Sequence, residues 1–200
     1  MTLIAVAEPS SRTETELTVR RALSGDGDAF GALYDQHVQD VHRVLLGLRL
    51  GLSREELEDA VQETWMRVLR DLPRYDAGRA LRPWVLAIAR HVAVDRCRRA
   101  QVRTAEPLEA AALVDGGASP GAETAARAER HGLVAEAMAA LDPEHRAALA
   151  LRHLDGLSMD DLAVALGCSV PTARARLRGA AHLLAGELRR RGLSSQEARS

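Results

Sequence analysis

Between Gly156 and Ala180 the chain reads GLSMDDLAVALGCSVPTARARLRGA, a stretch that ends with Arg174, Arg176 and Arg178 at alternate positions. Guanidinium groups at that density suit one kind of chemistry: bidentate hydrogen bonding to phosphate oxygens and to the O6 and N7 of guanine. All 27 basic residues are arginine, a usage that a GC-rich coding sequence also produces. A second basic concentration holds Arg74, Arg79, Arg82, Arg90, Arg96, Arg98, Arg99 and Arg103 against only Asp76 and Asp95. Just before it the balance reverses, with Glu55, Glu56, Glu58, Asp59 and Glu63 preceding Arg67 and Arg70. The formal net charge of -1 therefore conceals two basic patches suited to a polyanion and one acidic segment that a polyanion repels and a protein partner suits.

Residues for bond-breaking chemistry are missing from the pattern. No serine-nucleophile setting, metal-spaced His/Asp/Glu cluster or phosphate-cradling glycine loop is present, and the 7 histidines are scattered. Cys97 and Cys168 have no CxxC or Cys/His spacing, which predicts two inert thiols, no metal and no cofactor.

The arginine-rich stretch needs a particular scaffold. Ser158 is placed to cap a helix carrying Leu162, Ala163 and Leu166. Gly167 supplies a left-handed residue for the reversal, and Ser169 caps a second helix with Pro171 in its first turn. This is a helix-turn-helix. On its second helix Val170, Ala173, Leu177, Ala180 and Leu184 share one side. The other side presents Thr172, Ala175, Arg178, Gly179 and His182, flanked by Arg174 and Arg176, small and basic enough to enter a major groove.

Elsewhere the same periodicity predicts an all-α protein of two small helical units. Composition agrees, with 46% hydrophobic and 2% aromatic residues. Residues 1–21, polar and aperiodic, read as a disordered arm. A first unit over 22–100 contains a stripe from Phe30 to Leu48, then a Ser53/Glu56 capping box ahead of Leu57, Val61, Trp65 and Leu69, then a helix around Pro83 to Arg99. Trp65 and Trp84 both lie on apolar stripes and read as core. Residues 101–131 form an acidic, Ala/Gly/Pro-rich flexible linker, 132–192 the second unit, and 193–200 a tail. No apolar run approaches the roughly 20 residues of a membrane span, and the start lacks a signal-peptide pattern, so no membrane insertion and a cytoplasmic location are expected.

Four segments, DAFGALYDQHVQDVHRVLLGL, EDAVQETWMRVLRDLPRYD, LRPWVLAIARHVAVDRCRR and ALDPEHRAALALRHLDGLSMDDLAVALGCSVPTARARLRGAAHLL, together resemble the two blocks of the extracytoplasmic-function (ECF) sigma factors of bacterial RNA polymerase, in the sigma-70 family. The resemblance implies a non-catalytic promoter-specificity subunit with region 2 over 22–100 and region 4 over 132–192. It implies docking of Asp59, Gln62, Glu63, Met66 and Arg67 on the clamp helices of the polymerase largest subunit, with region 4 on the flap. It assigns Arg74, Asp76, Arg79, Arg82, Arg90, His91, Arg98 and Arg99 to recognition and opening of the minus-ten element, and Thr172, Arg174, Ala175, Arg176 and Arg178 to the minus-thirty-five element. An anti-sigma factor is a further implied partner. The linker resembles a connector that threads toward the RNA exit path, and a passive tether fits it as well. The sequence departs from the pattern at His91, where many relatives have asparagine, at Leu86 and Ala87, where an aromatic and a basic residue are usual, and at Gly179, where a basic residue is common.

Two other functions fit parts of the same pattern: a self-sufficient helix-turn-helix regulator, and a recombinase-like enzyme with an attached DNA-binding unit. The first requires tight duplex binding by the isolated chain; the second lacks catalytic residues.

Overall fold

The computed structural model describes residues 9–48, 52–76, 79–103 and 122–193, and every element in them is helical. Helices α1 (Pro9–Leu23), α2 (Gly27–Gly47), α3 (Arg54–Asp71) and α4 (Leu81–Arg103) form the first unit, with a 3-10 turn at Leu72–Arg74. Helices α5 (Ala122–Ala139), α6 (Pro143–His153), α7 (Met159–Leu166) and α8 (Val170–Arg190) form the second.

Helix starts follow side-chain caps that occupy otherwise unpaired backbone N–H groups. Asp26 accepts from the amide of Ala29, Ser53 and Glu56 form the expected capping box, and Asp142 accepts from the amides of Glu144 and His145. Ser158 accepts from Asp161, Ser169 accepts from Thr172, and Gly167 adopts φ +64° to end α7. That glycine and two serines set the tight reversal between α7 and α8.

Two expectations are corrected. The arm expected to lack order is helical over Pro9–Leu23, because Val19 and Ala22 give it an apolar edge that packs into the core, and Arg21 pairs with Asp26 at 2.7 Å. The linker expected from 101 to 131 is helical at both ends, as α4 runs to Arg103 and α5 starts at Ala122; its middle lies outside the described residues, as do residues 1–8 and 194–200.

The first unit buries Leu33, Val41, Val44 and Leu45 of α2 against Val61, Trp65 and Val68 of α3 and Val85, Ala89 and Val92 of α4. Trp65 is core, as its stripe predicts: Phe30 meets it edge-on at 6.0 Å and Tyr34 at 4.9 Å. Trp84 is half-buried and packs on Tyr75 at 4.9 Å.

The two units share one core, an arrangement invisible in the sequence. Ala147, Ala148 and Leu151 of α6, Leu162, Ala165 and Leu166 of α7 and Ala173 of α8 continue the cluster of the first unit. The junction centres on α4, whose buried surface is too wide for a helix packed on one side. Leu81, Val85, Ala89 and Val92 share one face; Leu86, Arg90 and Ala93 lie about 100° around the axis, and these are buried too. The second face is the one α7 covers.

His37 sits inside the first unit with neither ring nitrogen hydrogen-bonded, 3.9 Å from Asp40. Burial lowers its pKa below the usual 6.5, against the pull of Asp40 and with the help of Arg82. A histidine depressed on folding contributes stability that is present above pH 6.5 and lost as pH falls toward its folded value. Thermal melts should therefore show a lower Tm at pH 5.5 than at pH 7.5, with a smaller drop in His37→Met; equal drops would place the acid sensitivity on other groups.

Candidate functional site

On α8 the structure places the buried and exposed sides as the periodicity requires. Ala173 and Ala180 are fully buried, while Thr172, Arg174, Ala175, Arg178 and His182 are exposed. Arg176 differs from its neighbours: it is half-buried and its guanidinium lies 3.3 Å from the Glu144 carboxylate. The outward face thus offers Arg178 centrally and Arg174 at its margin, on a helix whose N-terminus is fixed by the Ser169 cap.

The second basic group divides by exposure. Arg74, Asp76, Arg79, Arg98 and Arg99 stand in solvent, with Arg79 held beside Asp76 at 3.3 Å. The Tyr75 hydroxyl donates to the carbonyl of Arg79, closing the loop before α4. Arg82 is half-buried and donates to both Asp40 oxygens, at 2.7 and 3.2 Å. Burial opposes the Asp40 charge, yet the Arg82 and Arg43 guanidiniums hold its carboxyl below the usual range. Arg90, expected at a nucleic-acid surface, is only 3% exposed. Its Nε donates to the Ala165 carbonyl at 3.0 Å, its Nη1 to Glu144 at 2.8 Å, and its Nη2 meets Nε2 of His91 at 2.7 Å. Partial burial and the adjacent Arg90 lower the His91 pKa, which favours the neutral ring that can accept this bond.

The acidic helix α3 presents Asp59, Gln62 and Met66 outward, Met66 with 73% of its surface exposed; Leu69, expected in the core with Val61 and Trp65, is instead 55% exposed beside it, because α3 turns Val68 inward and the chain follows with Leu72. An apolar pair ringed by charges is the composition of a protein interface. Glu63 and Arg67 are less free. Glu63 bonds Arg67 at 2.7 Å and Arg96 of α4 at 3.0 Å, and Arg67 reaches Asp95 at 3.4 Å, so they tie α3 to α4.

A sigma-70 region 2 family model matches residues 33–103, and a sigma-70 region 4 model matches residues 131–180. The chain is 34% identical over 165 residues to the ECF RNA polymerase sigma factor SigC of Mycobacterium tuberculosis, covering 78% of this chain and 81% of that protein. The chain belongs to the ECF sigma factors. BldN of Streptomyces coelicolor, another ECF sigma factor, is 32% identical over 166 residues, 80% of this chain and 60% of that one. The solved structure of CnrH in complex with the cytosolic domain of CnrY is similar with a TM-score of 0.62 at 25% identity, covering 87% of this chain and 96% of that one. The sigma factor RpoE of Bartonella quintana, solved with the anti-sigma factor NepR, shares the fold with a TM-score of 0.56 at 22% identity, over 78% and 96% of the two chains.

The first unit therefore contains region 2 and the second contains region 4, and the chain is a promoter-specificity subunit that binds core RNA polymerase and promoter DNA and directs initiation. Among the described residues no group of histidine, cysteine, aspartate and glutamate has the arrangement of a metal site, and no helix is long and apolar enough to cross a membrane.

Sequence reasoning missed Asp40, Glu144, Arg146 and Asp155, which organise the junction between the regions. Arg146, 5% exposed, donates to the carbonyls of Leu48 at 2.7 Å and Leu141 at 2.8 Å. The Asp155 side chain is fully buried with Arg43 at 3.4 Å and Arg82 at 3.7 Å, and burial raises its pKa. A charged residue set among apolar ones at a helix-facing position was the available signal: Arg146 stands one residue before the Ala147–Leu151 run.

The tie from Glu63 to Arg96 separates two substitutions on α3. Glu63→Ala should destabilise the chain by about 1 kcal/mol, seen as a Tm lowered by roughly 2–4 °C, because it loosens α3 from α4. Gln62→Ala, on the outward face, should leave the melt unchanged. Equal Tm for both would remove Glu63 from any structural role.

Proposed function

We propose that this sigma factor reads the minus-thirty-five element with the outward face of α8, opens the minus-ten element with the loop before α4 and the exposed arginines of α4, and docks on the polymerase clamp helices through α3. The observation that carries the reading is the division of α8: two fully buried alanines on one side, and on the other an exposed row of Thr172, Ala175 and Arg178 with nothing bulky and apolar to hide. Region 4 also supplies the flap contact.

Arg178 serves as the base-edge reader, since a central guanidinium forms a bidentate pair with guanine O6 and N7. Arg174, Thr172 and Arg176 lie where phosphates pass, and Ala175 leaves room for a thymine methyl group. Opening the minus-ten element requires no catalytic step and no cofactor. A base leaves the stack at a cost of a few kcal/mol, and a pocket for that base with cations on the displaced strand offsets it. Arg74, Arg79, Arg98 and Arg99 carry the exposed positive charge for this, with Asp76 and His91 as polar contacts to bases. Arg82 and Arg90 join them once their present partners release them.

On α3, Met66 with Asp59 and Gln62 forms the docking face, with Glu63 and Arg67 at its edge. The chain works in the cytoplasm with the polymerase. An anti-sigma factor, the partner that the family resemblance implies, holds it inactive; CnrH, 25% identical to this chain, is likewise solved in a complex, with the cytosolic domain of CnrY.

Two experiments test these assignments. In a promoter library transcribed by holoenzyme, Arg178→Ala should relax preference at one or two minus-thirty-five positions, a discrimination of about 1–3 kcal/mol. Arg174→Ala should instead weaken all promoters alike and lower the salt slope by roughly 0.9 for each phosphate it leaves unneutralised. An unchanged preference profile with Arg178→Ala would reject the rotational assignment. For strand opening, Arg79→Ala with Arg98→Ala should impair permanganate reactivity on duplex promoter much more than on a template mismatched across the minus-ten element. Equal losses on the two templates would reduce both arginines to general phosphate binding.

A further inference from the structure

The outward face of α8 has a gap at Gly179, which follows Arg178 and contributes no side chain. A side chain from another helix stands over it. Nε2 of His145, from α6, lies 3.7 Å from the place that a Cβ on Gly179 would take. The packing of α6 on α8 sets this contact. Leu141 and Leu149 share a buried cluster with Ala180, and one residue before His145 the Glu144 carboxylate lies 3.3 Å from Arg176. Arg176 and Gly179 are three positions apart on α8 and therefore lie on one side of it, where consecutive residues from the first turn of α6 meet them.

Asp142 orients the ring. Its Oδ1 accepts from the amides of Glu144 and His145, at 3.0 and 3.1 Å, and its Oδ2 accepts from Nδ1 of His145. Burial opposes the Asp142 charge, yet the bonds from His145 hold its carboxyl below the usual range, and an ionised carboxylate only accepts. Nδ1 must carry its proton to make this bond, which leaves Nε2 as the nitrogen that faces a ligand. As an imidazolium the ring donates from both nitrogens, to Asp142 and to an anion beside α8. The amides of Glu144 and His145 are already taken by the cap, so at this end of α6 the donor is the side chain and not the helix terminus.

We infer that His145 is a phosphate-binding residue of region 4, delivered by α6 onto the flank of the recognition helix in place of the side chain that Gly179 lacks. The inference rests on the reading of α8 given above and adds to it a contact from a second helix. Its ligand is a backbone phosphate of the promoter. A helix in the major groove has the sugar-phosphate backbone along its flanks, and a short ring reaching over Gly179 from α6 meets that flank, while Arg178 keeps the centre. The neighbouring Glu144 does not compete for the imidazolium, because its carboxylate accepts from Arg176.

Holoenzyme binding to a duplex promoter, measured across salt concentrations, tests the inference. His145→Ala should weaken binding about fivefold, with every promoter of the library affected alike. It should also lower the salt slope by roughly 0.9, the value for one phosphate. Gly179→Arg supplies a basic group from α8 itself, and its Cβ fits, since 3.7 Å from the ring is ordinary contact. It should restore affinity to the His145→Ala chain and add little where His145 is present, because both side chains serve one phosphate. His145→Gln keeps a residue suited to the third position of a capped helix and should lose the same slope; it decides the matter if a thermal melt shows His145→Ala to be destabilised. Unchanged affinity and slope in His145→Ala, with Arg174→Ala still weakening all promoters, would overturn the inference and leave the reading of α8 standing. Equal gains from Gly179→Arg with and without His145 would do the same, as would a change of preference at a single minus-thirty-five position in place of a uniform loss. If neither Arg174→Ala nor His145→Ala alters binding, the reading of α8 fails and the inference with it.

Discussion

A guanidinium taken out of water must find acceptors for its N–H groups or the fold loses several kcal/mol. Arg90 meets that demand with three different partners: a helix-end carbonyl, a carboxylate and an imidazole. Each partner has a fixed position in the chain, so satisfying one side chain fixes how the end of α7 and the first turn of α6 sit against α4 and which face α4 turns inward. Arg146 imposes the same discipline from the other direction, joining the ends of α2 and α5 at one buried point. The apolar packing between the regions supplies area, but these charged donors determine register, since Leu and Ala side chains tolerate sliding and a directed N–H does not.

This constraint explains how a chain of near-zero net charge carries DNA-binding surfaces. Acidic residues are placed against particular arginines, Asp40 against Arg82, Glu63 against Arg96 and Glu144 against Arg90. Arg74, Arg99, Arg174 and Arg178 remain in solvent. The charge that shapes the protein and the charge available to a polyanion are largely different residues, with Arg82, Arg90, Arg98 and Arg176 standing between the two sets.

Most of the local architecture was legible in the sequence. The Ser53/Glu56 box, the Ser158 and Ser169 caps and the Gly167 reversal all appear where residue type and spacing put them, because a cap acts within three residues of itself. The buried and exposed sides of α8 followed from a 3.6-residue period. Helix α1 escaped notice because its apolar edge is narrow, with Val19 the one fully buried side chain among its described ones.

What only the tertiary structure decided was the junction. Arg90 and Ala165 are 75 positions apart and Arg146 and Leu48 are 98 apart. No local periodicity carries information across such a distance. Read alone, Arg90 belongs to a basic run. Burial, which depends on what packs from elsewhere in the chain, turned it into a cross-region cap. The sequence by itself determined which helices form and which faces are apolar, since those properties follow from short-range spacing. Which polar groups leave water together was settled only by the packing of one region on the other.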